Sequence, residues 1–473
     1  MADHNATIND STDDKSTGSS LNGSKGREKL AIPTRGSAGE QQIGEISEIE
    51  AQGAAHFNRL GWRRLTVVLI VEAIALGSLS IPGAFAKLGM VAGVICTIGL
   101  GFIAIYTSYI VGQVKIKFPE VKHYADAGKL MAGRFGYEVV GAMFALQLIF
   151  LTGSHTLTGT IAFQNITDNA TCSIVFGVVS AIILLLLAIP PSFAEVAILG
   201  YIDFVSIIVA IFVTIIATGV VSSDNGGLSQ VDWSAWPREG LTFSEAFVAI
   251  TNIVFAYSFA VCQFSFMDEM HTPKDYVKSI WTLGLIEIFI YTVTGALIYA
   301  FVGADVQSPA LLSAGSLMSK VAFGLALPVI FISGSINTTC VARYIHGRVY
   351  KNSPIRFINT KMGWITWLAL ITIITIIAWV IAESIPFFDD LLSISSALFI
   401  SGFTFYFPAI LWFQHIREGP IFAKENLIKT TANALCLVIG LVTLVGGTYS
   451  AIVDIMNQYN HGTVRGAFTC SPL

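Results

Sequence analysis

The sequence predicts an all-α integral membrane protein of eleven transmembrane helices, and three observations carry that expectation. Hydrophobic residues make up 54% of the 473 residues, charged residues only 12%, and mean hydropathy is +0.69. Soluble domains carry roughly twice that charge. Charge-free runs recur that reach the about 20 apolar residues needed to cross a bilayer, most clearly 88–114 and 170–194. Third, two spans are interrupted midway. Ala75-Leu76-Gly77-Ser78-Leu79-Ser80-Ile81-Pro82-Gly83 puts Gly, Ser and Pro where lipid cannot replace lost backbone hydrogen bonds. A break of similar character is expected near Phe255-Ala256-Tyr257-Ser258. Such breaks persist where freed amides and carbonyls line a cavity and bind something, which in secondary transporters is the substrate.

Taken in order, the expected spans are 65–89, 91–114, 137–163, 174–190, 197–221, 244–267, 279–302, 314–342, 363–383, 389–413 and 430–453. Pro190-Pro191-Ser192-Phe193-Ala194-Glu195 connects the fourth to the fifth. A ten-span count merging helices there is the rival. The segment 1–58 is polar, with no early apolar core for a signal peptide, and its composition predicts a disordered cytoplasmic tail. The transmembrane domain follows over 59–453, and 454–473 forms an extracellular C-terminal tail. With the N-terminus inside, 23 of the 27 basic residues fall on the cytoplasmic side, leaving Lys87, Arg238, Lys320 and Arg465. That asymmetry follows the positive-inside rule. Sequons at Asn165 and Asn169 lie in the loop this topology places outside, but Asn5, Asn9 and Asn22 also head sequons in the tail, so the motif weighs little.

The six cysteines form no CxxC or Cys/His cluster, so no metal is expected. Cys96, Cys262, Cys340 and Cys436 fall within spans. Cys172 and Cys470 are the two that the topology exposes to an oxidising compartment, where a disulfide between them would tie the tail to the body. No HExxH, P-loop or GxSxG pattern appears, which argues against an enzyme, and neither a cofactor nor a nucleic-acid partner is expected.

Gly77-Ser78-Leu79-Ser80-Ile81-Pro82-Gly83-Ala84-Phe85-Ala86-Lys87-Leu88-Gly89 resembles the first-helix signature of the amino acid/auxin permease family. Phe255-Ala256-Tyr257-Ser258-Phe259, followed by Asp268-Glu269-Met270-His271-Thr272-Pro273-Lys274, resembles that family's sixth helix and its exit. The run from Glu72 to Ser80 is similar to fungal neutral amino acid permeases of the methyltryptophan-resistance type. Ser78 and Ser80 stand where many relatives have glycine. The resemblance implies a LeuT-like five-plus-five inverted repeat plus one accessory helix. It also implies uptake of neutral amino acids, aliphatic and aromatic, with protons as the coupling ion. The plasma membrane is the expected location, with a vacuolar exporter and a non-transporting amino acid sensor as alternatives.

Physical reasoning adds residue roles. Half-helix N-termini suit a substrate carboxylate, and free carbonyls at half-helix C-termini suit its ammonium group. Gly77, Ser78, Leu79 and Ser80 with Phe255, Ala256, Tyr257 and Ser258 are therefore the expected substrate site, set against ordinary helix packing. Glu72 and His155 are proton-coupling candidates, each alternatively a structural hydrogen-bonding group. Asp203 and Glu287 are expected to pair with loop lysines. Ser333, Asn337 and Thr338 form a polar wall at the position where sodium-coupled members of the fold bind a cation, either pocket lining or a vestigial ion site.

Overall fold

A computed structural model describes residues 61–351, 353–461 and 466–470. The expected tail over 1–58, with its sequons, lies outside the described residues. All regular structure among them is helical. Among the described residues nine helices are long and apolar enough to cross a membrane by length and composition, and two further apolar helices are shorter. The long ones are α1 (Trp62–Leu88), α2 (Met90–Lys117), α3 (Tyr124–Ile166), α5 (Phe193–Asp224), α8 (Tyr276–Val302), α9 (Ser316–Val349), α10 (Lys361–Ser384), α11 (Phe388–Ile416) and α12 (Leu427–His461). The shorter pair are α4 (Ser173–Leu187) and α6 (Phe243–Ala256), the latter continued after a gap by the two-turn α7 (Gln263–Asp268).

The helix α1 is the axis of the molecule: 94% of its most apolar stretch is buried, against a third for α2. It packs on α8, α6, α5 and α9 at once. Such a helix is apolar all round because no side of it meets lipid. Corresponding members of the two expected repeats lie side by side: α1 with α6, α2 with α8, α3 with α9 and α4 with α10. Gly89, at φ 82°, adopts the left-handed backbone that turns the chain directly from α1 into α2.

Two expected boundaries move. The third helix begins at Tyr124, thirteen residues early, because Asp126 closes a capping box on His123 and a bend at Ala132 and Gly133 folds this first segment back on the rest. The last helix runs on to His461 instead of ending at 453, so the C-terminal tail is shorter than expected. Its final turns are held by side chains: the Gln458 amide donates to Asp390 and Asp454 at 2.5 and 3.1 Å, and the Tyr459 ring lies edge-on to Phe387.

Candidate functional site

The break after α6 is built from residues with no glycine or proline among them. Thr242 and Glu245 cap the helix start reciprocally, and the helix stops at Ala256. Tyr257 leaves helical geometry, Ser258–Ala260 form one tight turn, and α7 resumes at Gln263. Every residue from Tyr257 to Cys262 is buried. Irregular backbone at this depth survives only where protein groups satisfy it, and the side chains of Tyr291 and Thr404 reach it. The Tyr291 hydroxyl sits 3.0 Å from Ala73 O and 3.1 Å from Ala256 O, so its single proton serves the α1 and α6 carbonyls in turn. The Tyr257 hydroxyl donates to Thr97 O of α2 at 2.9 Å, and Thr404 Oγ1 approaches Tyr257 O at 3.5 Å. Tyr257 thus ties the break to α2, its ring edge-on to Tyr291, and does not close over the site as a lid.

The expected break in α1 is absent. The helix is continuous from Trp62 to Leu88. The Ser78 and Ser80 hydroxyls turn back onto Ala75 O and Gly77 O of their own helix at 3.3 and 3.0 Å, which keeps them satisfied without unwinding. Pro82 stays inside the helix and leaves Ser78 O without its usual donor one turn on. What Gly77 provides is closeness: a Cβ there would lie 2.8 Å from Tyr291 Oη and 2.9 Å from Ala256 Cα and Cβ. Gly77 therefore lies directly against Ala256, and the two expected halves of the site meet.

The coupling candidates converge beside this contact. Ser333 Oγ donates to Glu72 O at 3.4 Å and lies 3.4 Å from His155 Nε2, linking α1, α3 and α9. The Glu72 carboxylate lies beside the Cys262 thiol, and no nitrogen or oxygen donor among the described residues reaches it. Asn337 donates to Ser333 O at 3.2 Å with its own oxygen unpartnered, while Thr338 meets Thr152 at 3.1 Å. Asp203 and Glu287 depart from expectation. Both are fully buried, and among the described residues neither carboxylate has a partner, because no loop lysine reaches that depth. Glu287 lies one helical turn before Tyr291, whose hydroxyl meets Ala73 O and Ala256 O, which sets it near the α1–α6 contact.

The two ends of the bundle differ. At the end where α1 finishes, a cavity of about 780 Å³ is lined by α1 from Gly83, by α6 down to Asn252, by the end of α3 and by the start of α11. Asn252 is one helical turn short of the break. Asn165, which accepts from Ser319 at 3.1 Å, and Asn169 sit on its rim. Cys172 and Cys470 are joined there as a disulfide, with Cα atoms 4.7 Å apart. At the opposite end the chain is cross-linked by charge. Asp268 takes Lys115 at 2.8 Å and Lys122 at 3.3 Å, and Glu269 pairs with Arg343. Burial alone would raise the Asp268 carboxyl, but the two lysines outweigh it and hold the group below its ordinary value.

A family model described as "Transmembrane amino acid transporter protein" matches residues 58–453. The chain belongs to that family. The N amino acid transport system protein of Neurospora crassa is 63% identical over 92% of this chain and 95% of its own length. Amino acid permease 1 of Arabidopsis thaliana is 21% identical over 83% and 90%. Two solved structures share the fold. One is a nucleobase-cation-symport-1 family transporter in a closed conformation with bromovinylhydantoin bound, at TM-score 0.51, 13% identity and coverage of 86% and 93%. The other is an outward-open, substrate-bound sodium-coupled sialic acid symporter, at TM-score 0.51, 12% identity and coverage of 87% and 96%.

This amino acid transporter, which is not an enzyme, hides several functional candidates from sequence reasoning. Tyr291 reads as one aromatic among many in an apolar helix. Only its position four residues after Glu287, on the same helical face, hints at a polar role. Lys115 reads as a loop-edge cation, yet it is buried against Pro119 O, Val121 O and Asp268. The acidic pair Asp389-Asp390 opening α11 was visible but carried no expected role.

Proposed function

We propose that this chain imports neutral amino acids, aliphatic and aromatic, across the plasma membrane by alternating access, with protons as the coupling ion. One observation carries the reading: the buried break between α6 and α7 lies against Gly77 of α1, one turn below a cavity of about 780 Å³, while at the other end α7 is tied by ion pairs to α2 and α9. With the N-terminus cytoplasmic, that cavity faces outside. The substrate is bound beside the Gly77–Ala256 contact, by groups of Gly77–Ser80 and Phe255–Ser258. Ser78 O, lacking its helical donor, and the free end of α6 favour the ammonium group.

Proton coupling is supported by Glu72 and Glu287, two buried carboxylates, the first beside the Cys262 thiol and the second without a partner among the described residues. Intramembrane carboxylates of this kind mark proton or cation paths. His155 lies 3.4 Å from Ser333, whose hydroxyl meets the Glu72 backbone carbonyl, and offers a further proton acceptor near the site. The name borne by the Neurospora relative supports amino acids as cargo. Uptake of a panel of labelled amino acids into transporter-deficient cells at two external pH values tests the reading. Concentrative uptake of leucine and phenylalanine, faster at the lower pH, is expected. Binding without net flux would overturn it.

A further inference from the structure

The end of the bundle where ion pairs tie α7 carries a separate cavity of about 750 Å³, set off to one side. Its wall is made by the end of α2, the turn before α8, the end of α11 and the start of α12, and neither α1 nor α6 takes part. Six charged side chains share this wall: Lys117, Lys274, Arg417 and Lys429 against Glu418 and Glu425. Among the described residues none of the four cations is in an ion pair. Lys117 donates to His415 O at 2.6 Å, and Arg417 gives its guanidinium to the carbonyls of Phe413 and Gly419, so both are held in place without being neutralised. Lys274 and Lys429 are exposed and meet no carboxylate. Lys115 and Lys122 behave otherwise, since they share Asp268.

Uncompensated positive charge on a concave wall attracts an anion. Lysine and arginine together are the side chains that bind phosphate. The start of α12 adds to the same field: the Asn426 amide is spent on Glu418 O and Pro420 O, no side chain caps the helix, and its first turn holds Lys429 where an acid would suit the dipole. The surroundings say what carries the phosphate. Tyr106, Tyr109 and Trp412 line the cavity, and tyrosine and tryptophan are the residues that settle at the level of lipid headgroups. Phe422 and Ile428 flank the wall residues Glu425 and Lys429 in the chain and are 83% and 84% exposed. A soluble anion has no use for such apolar neighbours, whereas acyl chains cover them. Four cations drawn from four segments also exceed what one phosphodiester can meet.

We infer that this side cavity binds the headgroup of an anionic phospholipid that bears a phosphate beyond its diester, with the acyl chains against Phe422 and Ile428. The positive-inside reading turns the cavity toward the cytoplasmic leaflet, where anionic lipids concentrate and basic pockets between helices take phosphorylated headgroups. The site stands apart from the α1–α6 contact, and its ligand does not depend on which amino acid the chain carries.

Equilibrium binding to the full chain in detergent micelles tests this, with a fluorescent short-chain phosphatidylinositol phosphate as the probe. The wild-type chain is expected to bind it saturably, and excess phosphatidylcholine is expected not to displace it. Soluble inositol bisphosphate, the same headgroup without acyl chains, should displace it only at concentrations about tenfold or more higher. The double variant Lys274→Gln with Lys429→Gln should weaken the probe by about tenfold or more, the scale of a lost charged hydrogen bond. Glu425→Gln removes a repelling carboxylate from the wall and should tighten the probe several-fold, a gain that misfolding cannot imitate. A soluble headgroup that binds as tightly as the lipid would overturn the lipid assignment in favour of a free phosphate compound. Displacement by phosphatidylcholine, or unchanged affinity in both the lysine and the glutamate variants, would remove the site.

Discussion

The two helices expected to break behave oppositely, and composition points the wrong way. Residues 75–83 hold two glycines, two serines and a proline, yet α1 runs through them unbroken. Residues 255–262 hold four aromatic or branched residues and no glycine or proline, yet the chain leaves the helix there. Intrinsic propensity is a weak prior that packing overrides. In α1 the small residues are used for approach: without a Cβ at Gly77, the end of α6 comes to van der Waals distance. In α6 the break is imposed from outside, by Tyr257 reaching α2, by Tyr291 holding Ala256 O, and by α7 being anchored beyond the gap. Gln263 of α7 takes Ser108 of α2, and Asp268 takes two lysines.

The largest test of this contrast is Gly77→Ala. If Gly77 exists to seat the α6 end, one methyl group should force Ala256 and Tyr291 apart at a cost of about 1–3 kcal/mol and reduce uptake by an order of magnitude or more. Gly77→Leu should abolish it. Uptake at equal surface expression measures both. Normal transport in Gly77→Ala would mean that α1 and α6 need not touch.

Glu72→Gln comes next, since it alters chemistry on α1 without altering the contact. The variant should lose acid-stimulated concentrative uptake and keep exchange of internal for external amino acid. Unchanged pH dependence would move the coupling role to Glu287, the buried carboxylate near the contact.

Asp268→Asn probes the tether on α7. With the lysines released, a cysteine introduced at Ser265 should react with a membrane-impermeant thiol reagent from the cytosolic face several-fold faster. The ordinary chain should show no such change between about pH 6 and pH 7.5. A carboxyl whose value is depressed in the folded state contributes fully above its ordinary value and is lost only as pH falls through the depressed one. Labelling of the ordinary chain that rises across that window would show that another group controls closure.

The smallest effect is expected at the rim. Cys470→Ser should lower the thermal stability of the purified protein by a modest amount, through the long loop that the bond closes, and leave uptake near normal. A non-reducing peptide map of the ordinary chain should recover Cys172 joined to Cys470. Two free thiols would refute it.

Much of the architecture was legible because membrane burial acts residue by residue. A segment must be apolar and long to cross lipid, so the charge-free runs at 88–114 and 170–194 announce helices without any knowledge of neighbours. Of the residues expected at the site, Gly77 lies against Ala256, and Glu72, His155 and Ser333 come together. Their roles were not. Glu287 was assigned a lysine partner from its depth along the helix, and only the packing of α1, α6 and α8 shows that no lysine reaches it.

The sequence by itself determined that the chain is a bundle of apolar helices, where its small residues fall, and how unevenly its lysines and arginines are spread among the connections. These follow from transfer free energies that each segment carries alone. The tertiary structure alone decided which helix breaks, which carboxylates are left without partners, and which end of the bundle is tied by buried ion pairs. A helix ends where outside groups satisfy its released carbonyls, and a buried acceptor is an orphan only once every neighbour has been placed. Both are properties of contacts between segments far apart in the chain, such as Tyr291 with Ala73 and Ala256, and no local pattern encodes them.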